Sequence, residues 1–334
     1  QYKNDEEAKQ IIDIALGLEG LRRQDGIHAA AIVISPDTIT KFLPIQQKGS
    51  NAEIVTQYEM HTVEQLGLLK MDFLGLRNLS IVDRTLELIG SESLDIDNLK
   101  LDDEKTFKLF AEGKMTGVFQ LESRVAQSTS RSLKPKRFED IVALVALIRP
   151  GPLGAGMHNE FADRANNRKE IEYLHNDLES ILNETYGVIL YQEQVMQIAE
   201  KIAGFNLQEA DNLRVAMGKK IPKVMEEQRK KFTDGAVSNN YSEQFAIELF
   251  DQIAYFAGYG FNKSHSVPYA LLAYQTAYLK ANYPAEYIAA CLTAVKRDKD
   301  RTAIFLSEAR DMGVKVSTPD INLSSSDFTV NDKE

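Results

Sequence analysis

The hydrophobic pattern of this chain of 334 residues changes near residue 77. Upstream, an amphipathic helical stretch over residues 5–23 precedes two short apolar runs with the composition of β-strands, 29–34 and 67–74. Downstream, apolar side chains recur almost entirely at helical spacing. Because side chains repeat every two residues along a strand and about every 3.6 along a helix, the pattern predicts a mixed α/β fold, with a small α/β portion followed by a large, mainly α-helical one.

Length and cysteine content narrow the class of protein. A chain of 334 residues can form two domains, and its one cysteine, Cys291, excludes an internal disulfide framework and a cysteine-based zinc cage. A lone thiol fits the reducing cytosol, so we expect a cytoplasmic protein. The longest apolar run, 141–148, is too short for a membrane span of about 20 residues. The chain starts with Gln1 rather than Met, and we interpret it as an internal piece of a longer protein.

The net charge of −10 argues, taken alone, against a nucleic-acid partner. The basic residues are clustered, however: 124–137 holds five and no acidic residue, and 201–231 holds eight against four acidic residues. Since phosphate-binding surfaces are local, an acidic total does not exclude them. A solvated loop or helix face explains either cluster as well, so the basic residues of 124–137 are only weak candidates for DNA binding. These candidates are Arg124, Lys134, Lys136 and Arg137.

Asp72 lies in the predicted strand 67–74, which is otherwise largely apolar. Alternation along a strand places Lys70 and Asp72 on the face opposite Leu69 and Met71. A carboxylate in such a strand is costly unless it is paired or bound to a metal. Asp72 is therefore either a metal ligand or a strand-end residue that accepts backbone N–H groups. Two-metal sites use two or three clustered carboxylates, and the neighbouring predicted strand offers no second acidic pair, so such a site is incomplete within this chain.

Residues 258–268, with the sequence GYGFNKSHSVP, combine two glycines with polar side chains and a predicted helix start at Ser266. Unpaired N–H groups and the dipole make a helix N-terminus attractive to anions. Lys263 adds a full charge, and the Ser264 hydroxyl can cap the helix or bind a phosphate. The alternative is a capping loop with an incidental lysine. A Schiff-base lysine is disfavoured because nothing else in the chain supports one.

Further cationic candidates lie in two other segments. Arg149 follows a buried-type apolar run and precedes Pro-Gly-Pro, which suits either a bidentate phosphate contact or a buried ion pair. Arg214 lies at the edge of the apolar face of a helix that a capping box of Asn206 and Glu209 opens. Beyond the predicted end of that helix come Lys219 and Lys220, which the helix dipole favours whatever their function.

Eight segments, in order and at compatible spacing, resemble the family of bacterial DNA polymerase III alpha subunits, the C-family replicative polymerases. They are 26–31 (GIHAAA), 70–76 (KMDFLGL), 117–124 (GVFQLESR), 146–152 (ALIRPGP), 186–194 (YGVILYQEQ), 216–220 (AMGKK), 260–265 (GFNKSH) and 280–286 (KANYPAE). Each segment alone is weak, and their combination is highly specific. The chain departs from the usual pattern of the family at Val215, where a basic residue is common, and at 125–130.

The resemblance implies a partial nucleotidyltransferase palm of the polymerase beta-like type followed by a large, mainly α-helical fingers domain. Residues 1–25 match the end of the thumb, 26–76 the second palm segment and 77–334 the fingers. The implied enzyme is a DNA-directed DNA polymerase that transfers deoxynucleotides to a primer 3′-hydroxyl with two Mg²⁺ ions. Asp72 matches the last of three metal-binding aspartates. The other two lie in a motif upstream of this chain, which is therefore expected to be inactive alone.

The resemblance also assigns roles and partners. One set of residues is implied to bind the incoming triphosphate: Arg149, Arg214, Lys219, Lys220, Asn262, Lys263 and Ser264. His265 matches a steric gate that excludes the ribose 2′-hydroxyl. The implied partners are primer–template DNA, deoxynucleoside triphosphates and, through regions mostly outside this chain, a sliding clamp, a proofreading exonuclease and a clamp loader.

Two functions of other classes stay open. A non-catalytic nucleic-acid-binding scaffold also explains the basic clusters and the helical portion. A nucleotidyltransferase that acts on a small substrate explains Asp72 and the cations without a DNA partner.

Overall fold

The change of pattern near residue 77 coincides with a boundary between two compact units, residues 1–76 and 77–334. The computed structural model describes most of both. The described residues are 2, 5–21, 23–47, 49, 52–73, 75–90, 94–219, 222–257 and 260–331. The first unit mixes helices and strands, and the described part of the second is built mainly from helices, as the sequence predicted.

The described part of the first unit contains two α-helices, a short 3-10 helix (Ile39–Lys41) and two small antiparallel sheets. In chain order its elements are α1 (Glu6–Leu18), β1 (Ala31–Ile34), β2 (Ile45–Gln47), β3 (Ile54–Thr56), α2 (Met60–Gln65) and β4 (Leu69–Asp72). Strand β1 pairs with β4, with Ala31 opposite Asp72, and β2 pairs with β3, with Ile45 opposite Thr56. The two predicted apolar runs are thus confirmed as strands that pair with each other.

Helix α1 is shorter than its hydrophobic pattern predicted. It starts where the Asp5 side chain accepts the backbone N–H groups of Glu7 and Ala8, and it ends at Leu18 instead of residue 23. Glu19 is extended and Gly20 has a φ of 85°, a left-handed conformation that ends a helix and favours glycine. None of the residues of α1 is buried.

The described part of the second unit contains fourteen helices. They are α3 (Arg77–Ile89), α4 (Glu104–Glu112), α5 (Arg124–Leu133), α6 (Phe138–Leu147), α7 (Pro150–Gly154), α8 (Met157–Ala165), α9 (Glu179–Leu182), α10 (Gln192–Ala203), α11 (Leu207–Lys219), α12 (Pro222–Ser238), α13 (Glu243–Ala257), α14 (Lys263–Asn282), α15 (Pro284–Val295) and α16 (Lys299–Asp311). No described helix is long and apolar enough to cross a lipid bilayer.

Helix α14 packs against α4, α6 and α15. Ala270, Ala273 and Ala277 recur at helical spacing on its buried side and have no exposed surface. Small side chains let neighbouring helices approach closely, and larger residues of α4, α6 and α8, such as Phe110 and Phe161, fill the surrounding core. A separate core holds α10 to α13 together.

A glycine cap and the predicted capping box form the turn between α10 and α11. Gly204 caps α10 in the left-handed conformation, with a φ of 67°. The side chain of Asn206 accepts the backbone N–H of Glu209 at 3.0 Å, and the Glu209 carboxylate accepts that of Asn206 at 2.9 Å. This reciprocal pair is the predicted capping box. Helix α11 runs through Lys219, so this lysine is the last helical residue rather than the first one beyond the helix.

The predicted start of α14 at Ser266 is wrong. The helix begins at Lys263, because the Asn262 side chain accepts the backbone N–H of His265 at 2.9 Å and acts as the N-cap. The Ser266 hydroxyl is buried and donates to the carbonyl of Val142 on α6, so it does not cap the helix. Pro268 lies inside the helix near its start, where its missing N–H leaves one backbone carbonyl without its helical donor.

We expect Gly235→Ala to destabilise the chain. A β-carbon at Gly235 on α12 meets the carbonyl oxygen of Ala203 at 2.2 Å, and both atoms belong to backbone that must move apart. Overpacking of this kind costs about 1–3 kcal/mol, which urea unfolding measures. Gly218 on α11 is the matched control, because a β-carbon there meets nothing within 4 Å. If both alanine variants unfold at the same urea concentration, the close approach of α12 and α10 is not a constraint.

Candidate functional site

Two segments that the sequence singled out meet in the second unit. Tyr191 and Phe261 form a parallel backbone bridge. The N–H of Phe261 donates to the carbonyl of Leu190 at 3.1 Å, and the N–H of Gln192 donates to that of Phe261 at 2.9 Å. This bridge, called the Tyr191–Phe261 bridge below, places the start of α10 beside the start of α14.

Arg149 joins the same region from a third segment. It lies at the N-cap position of α7, directly after the buried helix α6. Its guanidinium stacks 4.2 Å from the centre of the Phe261 ring, and its Nε donates to the carbonyl of Ala146 at 3.0 Å. Burial lowers the pKa of Arg149, but a guanidinium stays charged at neutral pH. As the apolar run before it predicted, the side chain is held in place.

Arg214 reaches the bridge through Gln192. Its Nε donates to Asp211 at 2.8 Å, and its Nη1 lies 3.5 Å from the Gln192 side-chain oxygen. The Gln192 amide nitrogen in turn lies 3.4 Å from the carbonyl oxygen of Gly260. Two further cations that the sequence indicated are Lys219 and Lys220. The side chain of Lys219 and the whole of Lys220 lie outside the described residues.

Both the ammonium group and the backbone N–H of Lys263 are hydrogen-bonded to carboxylates. Its ammonium group is 2.8 Å from both oxygens of Glu184 and lies 5.5 Å from the centre of the Tyr191 ring. Its backbone N–H, at the first position of α14, is 3.0 Å from both oxygens of Glu193. The cation and one N–H of the helix N-terminus are therefore both in use, and a phosphate that binds either group has to displace a carboxylate.

The two carboxylates were not among the residues that the sequence indicated. Glu193 lies in the first turn of α10, where an acidic residue stabilises its own helix, so nothing in the sequence points to a partner on α14. Burial and then the charges of Glu184 and Glu193 raise the pKa of Tyr191. Tyr191 therefore stays a neutral phenol beside Lys263.

The Glu184 segment is held by a buried network. Asp140 accepts hydrogen bonds from the Tyr186 hydroxyl at 2.8 Å and from the Nε of Arg137 at 3.2 Å. The Nη2 of Arg137 donates to the backbone carbonyl of Glu184 at 2.7 Å, and the guanidinium lies over the Tyr186 ring. Arg137 thus has an internal structural role.

The other three basic candidates of 124–137 are exposed. Arg124 begins α5, Lys134 caps it with a φ of 51°, and Lys136 follows in the loop. The structure therefore separates these four candidates into one partly exposed arginine that bonds within the protein and three exposed cations.

His265 lies in the first turn of α14 and is exposed. Its ring is 4.3 Å from that of Tyr269 and 5.5 Å from that of Phe261, measured between centres. The predicted helix start at Ser266 put His265 just before the helix, but the residue is already helical. Asn262 and Ser264, on either side of Lys263, are also exposed, and the Asn262 oxygen serves as the helix cap.

Asp72 ends β4 in the first unit. The Lys70 ammonium lies 2.8 and 2.9 Å from its two oxygens, which confirms that both side chains share a face. The hydrogen bond from Lys70 holds the pKa of Asp72 below its usual value, so the carboxylate is ionised at neutral pH. Asp72 is thus paired, and 50% of its side-chain surface is exposed.

An ionised, accessible carboxylate fits Mg²⁺, which prefers oxygen ligands. Nδ1 of His28, the nearest titratable neighbour besides Lys70, lies 4.0 Å from Asp72. Within the described parts of the chain, no group of three or more histidine, cysteine, aspartate or glutamate side chains is arranged to hold a metal ion.

Two family models match the chain. Residues 1–75 match the family described as the bacterial DNA polymerase III alpha NTPase domain, and residues 78–240 match the family described as the bacterial DNA polymerase III alpha subunit finger domain. The chain therefore belongs to the family of bacterial DNA polymerase III alpha subunits, which confirms the resemblance of the eight segments.

Curated relatives align with almost the whole chain. The DNA polymerase III subunit alpha of Escherichia coli (strain K12) is 47% identical over 343 residues, which cover 99% of this chain and 30% of that protein. The subunit of Buchnera aphidicola is also 47% identical, over 346 residues with the same coverage. The subunit of Mycobacterium tuberculosis (strain H37Rv) is 44% identical over 333 residues. The chain thus spans about 30% of the length of these relatives.

Proposed function

We propose that this chain is the palm-end and fingers part of a replicative DNA polymerase, which extends a primer by template-directed deoxynucleotidyl transfer. In this proposal residues 1–25 are the end of the thumb, 26–76 a palm segment and 77–334 the fingers. The observation that carries it is the alignment of 99% of the chain with subunits named DNA polymerase III subunit alpha. The geometry adds a cationic site and an accessible carboxylate, which suit binding of a triphosphate and of a metal ion.

The cations around the Tyr191–Phe261 bridge would bind the incoming triphosphate. Arg149 and Arg214 present guanidinium groups from two different segments, and Lys263 adds an ammonium group beside the same bridge. Hydrogen bonds from cations to phosphate oxygens are stronger than neutral ones, and fixed charges stabilise the negative charge that develops on the leaving pyrophosphate. Lys263 would exchange Glu184 for a phosphate oxygen. The remaining proposed ligands are Lys219, Lys220, Asn262 and Ser264.

Asp72 would hold Mg²⁺ together with ligands from outside this chain. When bound, such ions would supply Lewis-acid stabilisation of the attacking hydroxyl and of the transferred phosphate. Lys70 contributes by keeping the Asp72 carboxylate ionised and oriented. Two ions are expected in the complete enzyme.

The exposed cations Arg124, Lys134 and Lys136 would contact DNA phosphates. Because template sequence is read by base pairing, the protein needs no base-specific contact. A sliding clamp, a proofreading exonuclease and a clamp loader would bind mostly through regions outside this chain. Action on a bacterial chromosome places the enzyme in the cytoplasm.

We expect Asp72→Asn in the intact polymerase to abolish primer extension and to leave primer–template binding nearly unchanged. The amide keeps the shape of the side chain and still accepts from Lys70, but it loses the charge that binds the metal. Extension and DNA-binding assays measure both effects. Asp37→Asn, an exposed aspartate paired with Lys41 in the same unit, is the control. Near wild-type turnover of the Asp72 variant would show that Asp72 is structural.

We expect alanine at Arg149, Arg214 or Lys263 to raise the KM for deoxynucleotides more than it weakens DNA binding. Each charge-assisted contact is worth about 1.5–3 kcal/mol, or roughly 10- to 150-fold. Steady-state kinetics and DNA titrations separate the two effects. Lys169→Ala removes another ion-paired lysine of the same unit, bonded to Glu160 at 2.7 Å, and serves as the control. An equal loss of DNA affinity with a shallower salt dependence would make these residues DNA-backbone contacts instead.

We expect His265→Ala in the intact polymerase to raise ribonucleotide incorporation and to retain deoxynucleotide extension. A bulky ring beside the sugar excludes the 2′-hydroxyl by a clash, so removing the ring relaxes discrimination. The measurement is the ratio of kcat/KM for a ribonucleotide and the matching deoxynucleotide on one primer–template. An unchanged ratio rules out the gate, and an equal loss of both activities indicates a structural histidine.

A further inference from the structure

The ring of His265 is oriented by two aromatic neighbours. Its plane is tilted by 36° from that of Tyr269, whose centre is 4.3 Å away, and by 79° from that of Phe261, 5.5 Å away. Tyr269 lies four residues further along α14, and residues at this spacing share a helix face. Since His265 is exposed, burial does not fix its side chain, and these ring contacts are what limit its orientation.

Tyr269 is itself fixed to the core of its unit. Its ring lies 5.3 Å from that of Phe119, which is only 4% exposed. The backbone N–H of Phe119 donates to the Thr276 hydroxyl on α14 at 3.1 Å, so the loop that carries Phe119 is tied to the same helix. A ring held in this way gives His265 a rigid surface to pack against.

Phe261 is less suited to a test of His265 alone. It also stacks with Arg149 and forms the Tyr191–Phe261 bridge, so its replacement would disturb the cationic site. Tyr269 also contacts His265 but is not part of that bridge, so it can be changed separately.

We propose that Tyr269 is a positioning residue that holds His265 in the orientation that excludes a ribose 2′-hydroxyl, and that it thereby sets discrimination against ribonucleotides. This inference rests on the proposed function of His265. A gate discriminates only while its side chain stays beside the sugar, because rotation to another rotamer opens the space. Loss of one aromatic pair changes such a population by roughly 2- to 10-fold, so discrimination falls by that factor, less than on removal of the gate.

The test compares variants of the intact polymerase by the ratio of kcat/KM for a ribonucleotide and the matching deoxynucleotide. Tyr269→Leu raises the ratio by roughly 2- to 10-fold, whereas Tyr269→Phe keeps it at the wild-type value because the ring remains. Added to His265→Ala, Tyr269→Leu gives no further increase, since it acts through the histidine. Tyr278→Leu is the matched control: Tyr278 is a half-buried tyrosine of α14 that packs on Tyr283, and its loss leaves the ratio unchanged.

Two results overturn the inference and retain the gate. In the first, Tyr269→Leu keeps the wild-type ratio while His265→Ala raises the ratio. In the second, the double variant shows the combined increase of both single variants. An unchanged ratio in His265→Ala overturns the gate and the inference with it. Melting temperatures check that each variant folds. If Tyr269→Leu does not fold, Tyr269→Met replaces it, because a methionine fills similar space without a ring, and the same ratios then apply.

Discussion

The burial of helix α14 is the constraint on which the larger unit depends. Near its end the Lys280 side chain is completely buried, and its ammonium group donates to the Glu308 carboxylate at 2.6 Å and to two backbone carbonyls, of Lys114 and Thr116, at 2.6 and 2.8 Å. Removing one partner of a buried ion pair costs about 3–5 kcal/mol. These acceptors therefore fix both α16 and the loop after α4 on α14. The small side chains along the helix let α4 and α6 pack against it.

At the opposite end of α14, charge rather than apolar packing decides the local structure. Lys263 and the first helical N–H are matched by Glu184 and Glu193, and Arg137 with Asp140 holds the Glu184 segment in place. Partly buried charges are costly when unpaired. The carboxylates of Glu184 and Glu193 provide the pairing here. A phosphate that binds here gains only the difference between its own interactions and those of the carboxylates that it displaces.

The smaller unit, in contrast, has only a small apolar core among its described residues. Among the residues that the structure describes, strand β4 pairs with β1 alone, and the core of the unit rests on a few side chains, Leu43, Val63 and Leu68. Two-stranded sheets bury little surface, so Leu69 and Met71 remain exposed although the strand is apolar. This exposure leaves the carboxylate at the end of the strand accessible.

The sequence determined those structural features whose signals span only a few residues. The capping box of Asn206 and Glu209 and the existence of strands β1 and β4 were predictable, because their signals lie close along the chain or repeat with a fixed period. That the two strands pair with each other was not predicted. The eight segments identified the family.

Only the tertiary structure decided which groups meet across long separations. Glu184 and Lys263 are 79 residues apart, and nothing local marks them as partners. Helix α14 starts at Lys263, where Asn262 caps it. Ser266 does not cap the helix, because its hydroxyl donates to a carbonyl 124 residues away on α6. Side chains such as serine and glutamate can pair with their own helix or with a distant group. The fold chooses between these partners, because burial leaves a polar group without water and makes the nearest available partner obligatory.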